Sequence, residues 1–249
     1  MQLSDHVYLV GGGPFTGFGL TSGPDCHVYL IDGGGELALI DSGVGLDDDF
    51  DRIGQNISRL GFDPLDIATV ALTHYHGDHA GGASRAQREF QAALAIHADA
   101  ADALEAGDET TTGLAAARRA GIFPPEAKLE PCTVDRRLTD GDVIEVGQLS
   151  LRFVPTPGHA RGHGSYLLSG EEGNALFTGD SLFWAGKILL QAVEDCDLQE
   201  SLESLQRMAA LDFEGFFPGH GALAVEGGHV HAAMAQAEIE KLGVPKNLV

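Results

Sequence analysis

Cysteine is scarce in this chain: Cys26, Cys132 and Cys196 are far apart, and no Cys-x-x-Cys pair occurs. An odd, scattered set offers neither a disulfide framework nor a cysteine-built zinc knuckle, and it suits a reducing compartment. Lysine is also scarce, with Lys128, Lys187, Lys241 and Lys246 the only ones among 15 basic residues. Against 37 acidic residues this leaves a net charge of −22. Such a field repels phosphate polymers and anionic lipid surfaces, so neither nucleic acid nor a membrane is expected as a partner. No apolar run is long enough to cross a bilayer. Met1 to Val10 has no basic segment leading into an apolar core, so the expected compartment is the cytoplasm.

What the chain does have is apolar content, 43% hydrophobic over 249 residues, enough for one sizeable core. Val7 to Val10 and Cys26 to Ile31 alternate as strands do, and Glu36 to Ile40 follows the turn Gly33-Gly34-Gly35 as the second arm of a hairpin. Asp47 to Leu60 predicts a helix, opened by three aspartates that suit its positive end and closed by Gly61. Ile67 to Leu72 predicts a strand, Ala80 to Phe90 a helix and Leu94 to His97 another strand. Two short helices are expected between Asp99 and Gly121, divided by Gly107 and Gly113, and then a loop from Pro124 to Val134. Val143 to Val146 and Leu149 to Val154 predict a second hairpin. Ser165 to Leu168 and Ala175 to Thr178 predict strands around the turn Gly170 to Asn174. Helices are expected at Leu198 to Leu211 and Val230 to Leu242, with a last short strand at Phe213 to Phe217. Strand–helix alternation in both halves marks an α/β protein.

The chemistry concentrates in Thr73-His74-Tyr75-His76-Gly77-Asp78-His79. Three imidazoles and a carboxylate within six residues are the donors that zinc and other divalent first-row metals take. Leaving so many costly polar groups together without a shared task is the less economical alternative. His159 in Pro157-Gly158-His159, Asp180 in Thr178-Gly179-Asp180 and His220 in Pro218-Gly219-His220 each follow an apolar run ending in small residues. Each is a strand delivering a donor at its carboxyl end, where open α/β sheets build their sites. Asp47, Asp48, Asp49 and Asp51 lack the spacing of a calcium loop and read as a charged helix start.

These four segments resemble, in order and spacing, the metal motifs of the metallo-β-lactamase superfamily, and the resemblance spans nearly the whole chain. It implies an αββα sandwich over residues 1–249, two mixed sheets flanked by helices, with a helical insert at about 98–131 that either caps the site or forms a homodimer contact. It implies two divalent ions, zinc by default with manganese or iron compatible. His74, His76 and His159 would hold the first, Asp78, His79 and His220 the second, and Asp180 would bridge them. Asp78 and Asp180 are thus the catalytic candidates, and Asp41 in Ile40-Asp41-Ser42-Gly43 would orient a ligand imidazole. The implied reaction is attack by a hydroxide shared between the metals on a small carbonyl ester, thioester or lactone.

Four further residues are candidate substrate contacts: His163 at the edge of the site, Phe183 and Trp184 as an apolar wall, and Lys187 as a carboxylate partner. A solvated loop, core packing and the open surface are their respective structural alternatives. Relatives specific for glutathione thioesters often carry Gly-Cys-Gly in the segment that here runs Gly179 to Leu190 without it. Two rival functions use the same scaffold: a mononuclear iron oxidoreductase resembling persulfide dioxygenases, and a binding protein without activity. Seven intact donors speak against the second.

Overall fold

The computed structural model describes residues 1–14, 17–21, 24–171 and 173–248. Among the described residues, eleven strands form two sheets. The first is β1 (Val7–Gly11), β2 (Val28–Asp32), β3 (Leu37–Ile40), β4 (Ile67–Ala71), β5 (Ala93–His97) and β6 (Arg136–Leu138), in that order. β1, β2 and β3 pair antiparallel, and β3 to β6 run parallel. The second sheet has the order β11 (Gly215–Pro218), β10 (Gly173–Gly179), β9 (Gly164–Gly170), β8 (Leu149–Pro155) and β7 (Val143–Val146). Only β10 and β11 are parallel in it. The helices are α1 (Asp47–Arg59), α2 (Gly77–Ala80), α3 (Ala83–Glu89), α4 (Ala98–Ala106), α5 (Leu114–Arg119), α6 (Leu198–Ala209) and α7 (His229–Glu240). None of them is long and apolar enough to cross a membrane.

Strand alternation explains the layering, because successive side chains point to opposite faces. In β2, Tyr29 and Ile31 enter the core between the sheets, whereas Val28 and Leu30 pack outward with Phe50, Ile53 and Ile57 of α1. In β10, Ala175 and Phe177 face the same inner core while Leu176 packs outward with Leu205 and Met208 of α6. Both faces of each sheet are therefore apolar, and helices cover the outer ones. This is the αββα sandwich that the sequence led us to expect. Tyr29, Phe177 and Phe217 fill the inner core, with ring centroids 5.1–5.5 Å apart.

Two local expectations change. The helix expected over 80–90 is divided into α2 and α3, with Gly81 and Gly82 between them. A Cβ at Gly81 would stand 2.1 Å from the Val44 carbonyl oxygen, and one at Gly82 2.3 Å from that of Ser42. The chain needs bare backbone there. β6 is an addition: three residues, two of them arginine, give no apolar signal, and the strand exists because it pairs with β5. The turn expected over 170–174 includes residue 172, which lies outside the described residues. Helices α4 and α5 occur between β5 and β6. Leu104 and Leu114 join the outer core, and a Cβ at Gly77 would meet Leu114 Cδ1 at 2.7 Å. That insert thus packs directly against the turn carrying the histidine motif.

Candidate metal centre

The donor segments all leave the carboxyl ends of strands at one edge of the sandwich. Asp41 follows β3, His74 follows β4 after Leu72 and Thr73, Asp180 follows β10, and His220 follows β11 after Gly219. The edges are laced together across the sheets. Gly164 N–H donates to the Thr73 carbonyl (2.8 Å), Tyr166 Oη–H to that of Leu72 (2.8 Å), and His27 N–H to that of Gly219 (2.7 Å).

Two clusters of donors result. His74, His76 and His159 form one, and Asp78, His79 and His220 the other, with the chosen donor atoms of each within 4.8 Å of one another. Asp180 stands between them. Its Oδ2 is 3.6 Å from His159 Nε2 and 3.4 Å from His220 Nε2, and its Oδ1 is 3.4 Å from His79 Nε2. Asp78 Oδ2 lies 3.2 Å from His220 Nε2.

The far side of each ring fixes which nitrogen is free. His79 Nδ1–H donates to Asp41 Oδ2 at 2.8 Å, and His159 Nδ1–H to the Leu189 carbonyl at 3.1 Å, so both turn Nε2 toward the other donors. Asp41 also accepts from Thr73 N–H at 2.7 Å and from Thr73 Oγ1–H. It holds this position with φ of 62°, in the left-handed region that non-glycine residues seldom adopt.

The electrostatics divide the donors. Burial holds His74 well below its ordinary pKa and brings His159 down to about 4. Burial would lower His220 as well, but Asp180 and Asp78 raise it to about 9. Those same neighbours work in reverse on Asp180: burial would raise its carboxyl, yet His220 and His79 hold it well below the usual carboxylate range.

The donors fit divalent cations. His74 Nε2 and Asp180 Oδ1 are buried with no hydrogen-bond partner among the described residues, where such atoms ordinarily find one. Gly219 leaves the space they face open, since a Cβ there would stand 2.4 Å from Asp180 Oδ1 and 2.7 Å from His79 Cε1. Gly219→Ala should displace both donors, and a misplacement of that size lowers kcat/KM by about 10²-fold. Steady-state kinetics on any hydrolysed ester checks this; an unchanged value would show that position 219 does not shape the site.

Zinc uptake should be linked to pH through His220. Its folded pKa lies above the ordinary value of 6.5. In the metal-free protein the proton on His220 therefore stabilises the fold fully below about 6.5, and this contribution is lost as pH rises through about 9. A metal must expel that proton. Apparent affinity then rises at least roughly tenfold per pH unit up to the pKa, because His79, which burial would lower but Asp180, Asp41 and Asp78 hold well above its ordinary value, must give up a proton as well. Calorimetric titrations at pH 7 in buffers of different ionisation enthalpy should show proton release on zinc binding, and uptake with none would contradict the assignment.

A family profile described as the metallo-β-lactamase superfamily matches residues 22–220. The chain belongs to the metallo-β-lactamase superfamily. It is 30% identical over 221 residues to an atrochrysone carboxyl ACP thioesterase of Aspergillus fumigatus, covering 87% of this chain and 56% of that protein. It is also 30% identical over 217 residues to the lactamase-like protein NscB of Trichophyton rubrum, covering 87% and 54%. The chain thus spans about half the length of the curated relatives it matches. Among solved structures, a metallo-β-lactamase of Cronobacter sakazakii superposes with a TM-score of 0.73 at 20% identity, covering 97% of this chain and 96% of that one. A metallo-β-lactamase family protein of Thermus thermophilus gives 0.71 at 25% identity, covering 97% and 83%.

The four expected substrate contacts do not fall together. His163 is not at the edge of the site but wholly buried beneath it. Its Nε2 accepts from Asp180 N–H at 3.1 Å, and its Nδ1 lies 3.0 Å from both Thr156 Oγ1 and Ser181 Oγ. It does not reach solvent, because Asp180, Thr156 and Ser181 enclose its ring nitrogens. Phe183 is buried and stacks on His220 at 6.5 Å between centroids, so it does border the donors. Trp184 turns away to pack on His231 of α7 at 4.1 Å. Lys187 is half-buried, with its carbonyl accepting from Phe183 N–H. Asp195 is the residue that sequence reasoning missed. Its Oδ2 lies 3.2 Å from His76 Nε2 and accepts from Tyr75 Oη–H at 2.9 Å. Lying 119 positions from its histidine and outside any motif, it left no signal in the sequence.

Proposed function

We propose that the protein is a binuclear metal-dependent hydrolase of a small carbonyl ester, thioester or lactone. The observation that carries this is the placement of Asp180 between two donor clusters, one of three imidazoles and one mixed, which it joins by grouping with His74 of one and His79 of the other. A site for a single ion would need only the first. Zinc is the proposed metal, since imidazole and carboxylate suit it. Bound divalent cations would polarise the carbonyl and lower the pKa of a water, so hydrolysis would need no serine or cysteine nucleophile.

The chain's own part is positional and electrostatic. Asp180 and Asp78 carry the negative charge in the cleft, and burial keeps His74 and His159 neutral on the other side. Asp41 holds the His79 proton on Nδ1, leaving Nε2 free. Phe183 offers an apolar surface beside His220 for the acyl or leaving group. The thioesterase relative favours the thioester within this class. A net charge of −22 favours small substrates over nucleic acid or a membrane surface, and the scattered cysteines favour the cytoplasm. A panel of acyl thioesters, aryl esters and lactones, tested with zinc-loaded protein and with chelator-stripped protein, examines the reading. Metal-dependent turnover of at least one class is expected; inertness of the fully loaded protein against all three would overturn it.

A further inference from the structure

The later part of the connection between β10 and α6, residues 187–197, lies across the first donor cluster like a strap. It supplies the outer partner of two of the three imidazoles. Leu189 gives its carbonyl to His159 Nδ1–H at 3.1 Å, and Asp195 gives Oδ2 to His76 Nε2–H at 3.2 Å. His76 is the exception in its cluster. His74 and His159 turn Nε2 inward, whereas His76 turns Nδ1 inward, 3.0 Å from His159 Nε2. An imidazole donates to a cation only through a nitrogen without a proton. The proton of His76 must therefore sit on Nε2, and Asp195 is the acceptor placed to keep it there. Tyr75 Oη–H donates to the same oxygen at 2.9 Å and so fixes the carboxylate from its other flank.

The strap is itself tied down at both ends. Asp197 N–H donates to the Gly158 carbonyl at 2.8 Å, and Asp197 Oδ1 caps α6 by accepting from Glu200 N–H at 2.9 Å. At the other end, Asn247 clamps Leu190 with its side-chain amide in both directions, Leu190 N–H to Oδ1 at 2.9 Å and Nδ2–H to the Leu190 carbonyl at 3.0 Å. Ile188 makes two further backbone bonds to Lys246 and Leu248, at 3.0 and 2.7 Å. The chain's last described segment is thereby linked through the strap to the first metal position.

We propose that Asp195 is the positioning residue of the first metal site, selecting the inward nitrogen of His76, and that Asn247 holds the strap in the place where Asp195 can do so. This rests on the binuclear reading above. The test uses zinc as the probe, in competition with a chromophoric chelator, on the wild type and on Asp195→Ala, Asp195→Asn and Asn247→Ala. Wild type should take up two zinc ions. In Asp195→Ala one of the two should weaken by about 10–100-fold, the usual effect of losing an outer partner of a ligand histidine, while the other stays within about threefold. Asp195→Asn still offers an oxygen to Nε2–H and should recover most of the loss. Asn247→Ala, which acts at one remove, should weaken the same ion by less than Asp195→Ala does.

A two-dimensional 1H–15N spectrum of the histidine rings reads the claim apart from activity. The zinc-loaded wild type should show His76 protonated at Nε2, and that signal should be lost or exchange-broadened in Asp195→Ala. If Asp195→Ala binds both ions as the wild type does, or loses both equally, the proposal is overturned. If the alanine variant does not fold, Asn247→Ala decides: selective weakening of one ion supports the proposal and wild-type binding overturns it. A wild type that takes up fewer than two zinc ions would instead fail the binuclear reading itself.

Discussion

Asp180→Ala should abolish hydrolysis, with kcat/KM falling by on the order of 10³-fold or more in protein purified and assayed with zinc. Three imidazole nitrogens, from His79, His159 and His220, lie within 3.4–3.6 Å of this one carboxylate. Its removal would take a donor from each cluster at once, together with the negative charge that favours cations there. The backbone damage should be small, because Asp180 N–H keeps its acceptor in His163 Nε2. A folded variant with wild-type turnover would show that the two clusters do not act together.

Asp41→Ala should have the largest effect on the fold itself. Asp41 is buried and accepts from Thr73 N–H, Thr73 Oγ1–H and His79 Nδ1–H. Truncation leaves these donors unpaired away from water, and breaking one side of such a buried charged network costs about 3–5 kcal/mol. Alanine also keeps a Cβ in the left-handed backbone region at φ of 62° and gains nothing there. Chemical denaturation of the metal-free protein should show that loss. Zinc affinity of the second cluster should fall about 10–100-fold as His79 becomes free to rotate. A loss under 1 kcal/mol would mean that water replaces the carboxylate and that Asp41 is not the anchor of His79.

The sequence read most clearly where one strand or turn carries its own pattern. Alternation along β1 and β2, and the donors clustered at 74–79, needed no partner to be recognised. The α2–α3 break was obscured because Gly81 and Gly82 answer to the Val44 and Ser42 carbonyls, which only the folded chain brings near. β6 was invisible because its pairing with β5, not its own residues, makes it a strand. The burial of His163 and the role of Asp195 were hidden for the same reason. Each depends on what lies opposite: Asp180 N–H and Ser181 for one, and His76 and Tyr75 for the other. Donor types could be read locally, whereas the partners that orient them come from distant segments.

The central claim is that these seven donors hold two metal ions. Elemental mass spectrometry on protein purified without added metal, with His76→Ala beside it, tests it most directly. About two equivalents of zinc or manganese in the wild type and a clear fall in His76→Ala are the predicted result. Near one equivalent of iron in the wild type would contradict the binuclear hydrolase, and equal content in both proteins would contradict the placement of the site at His76.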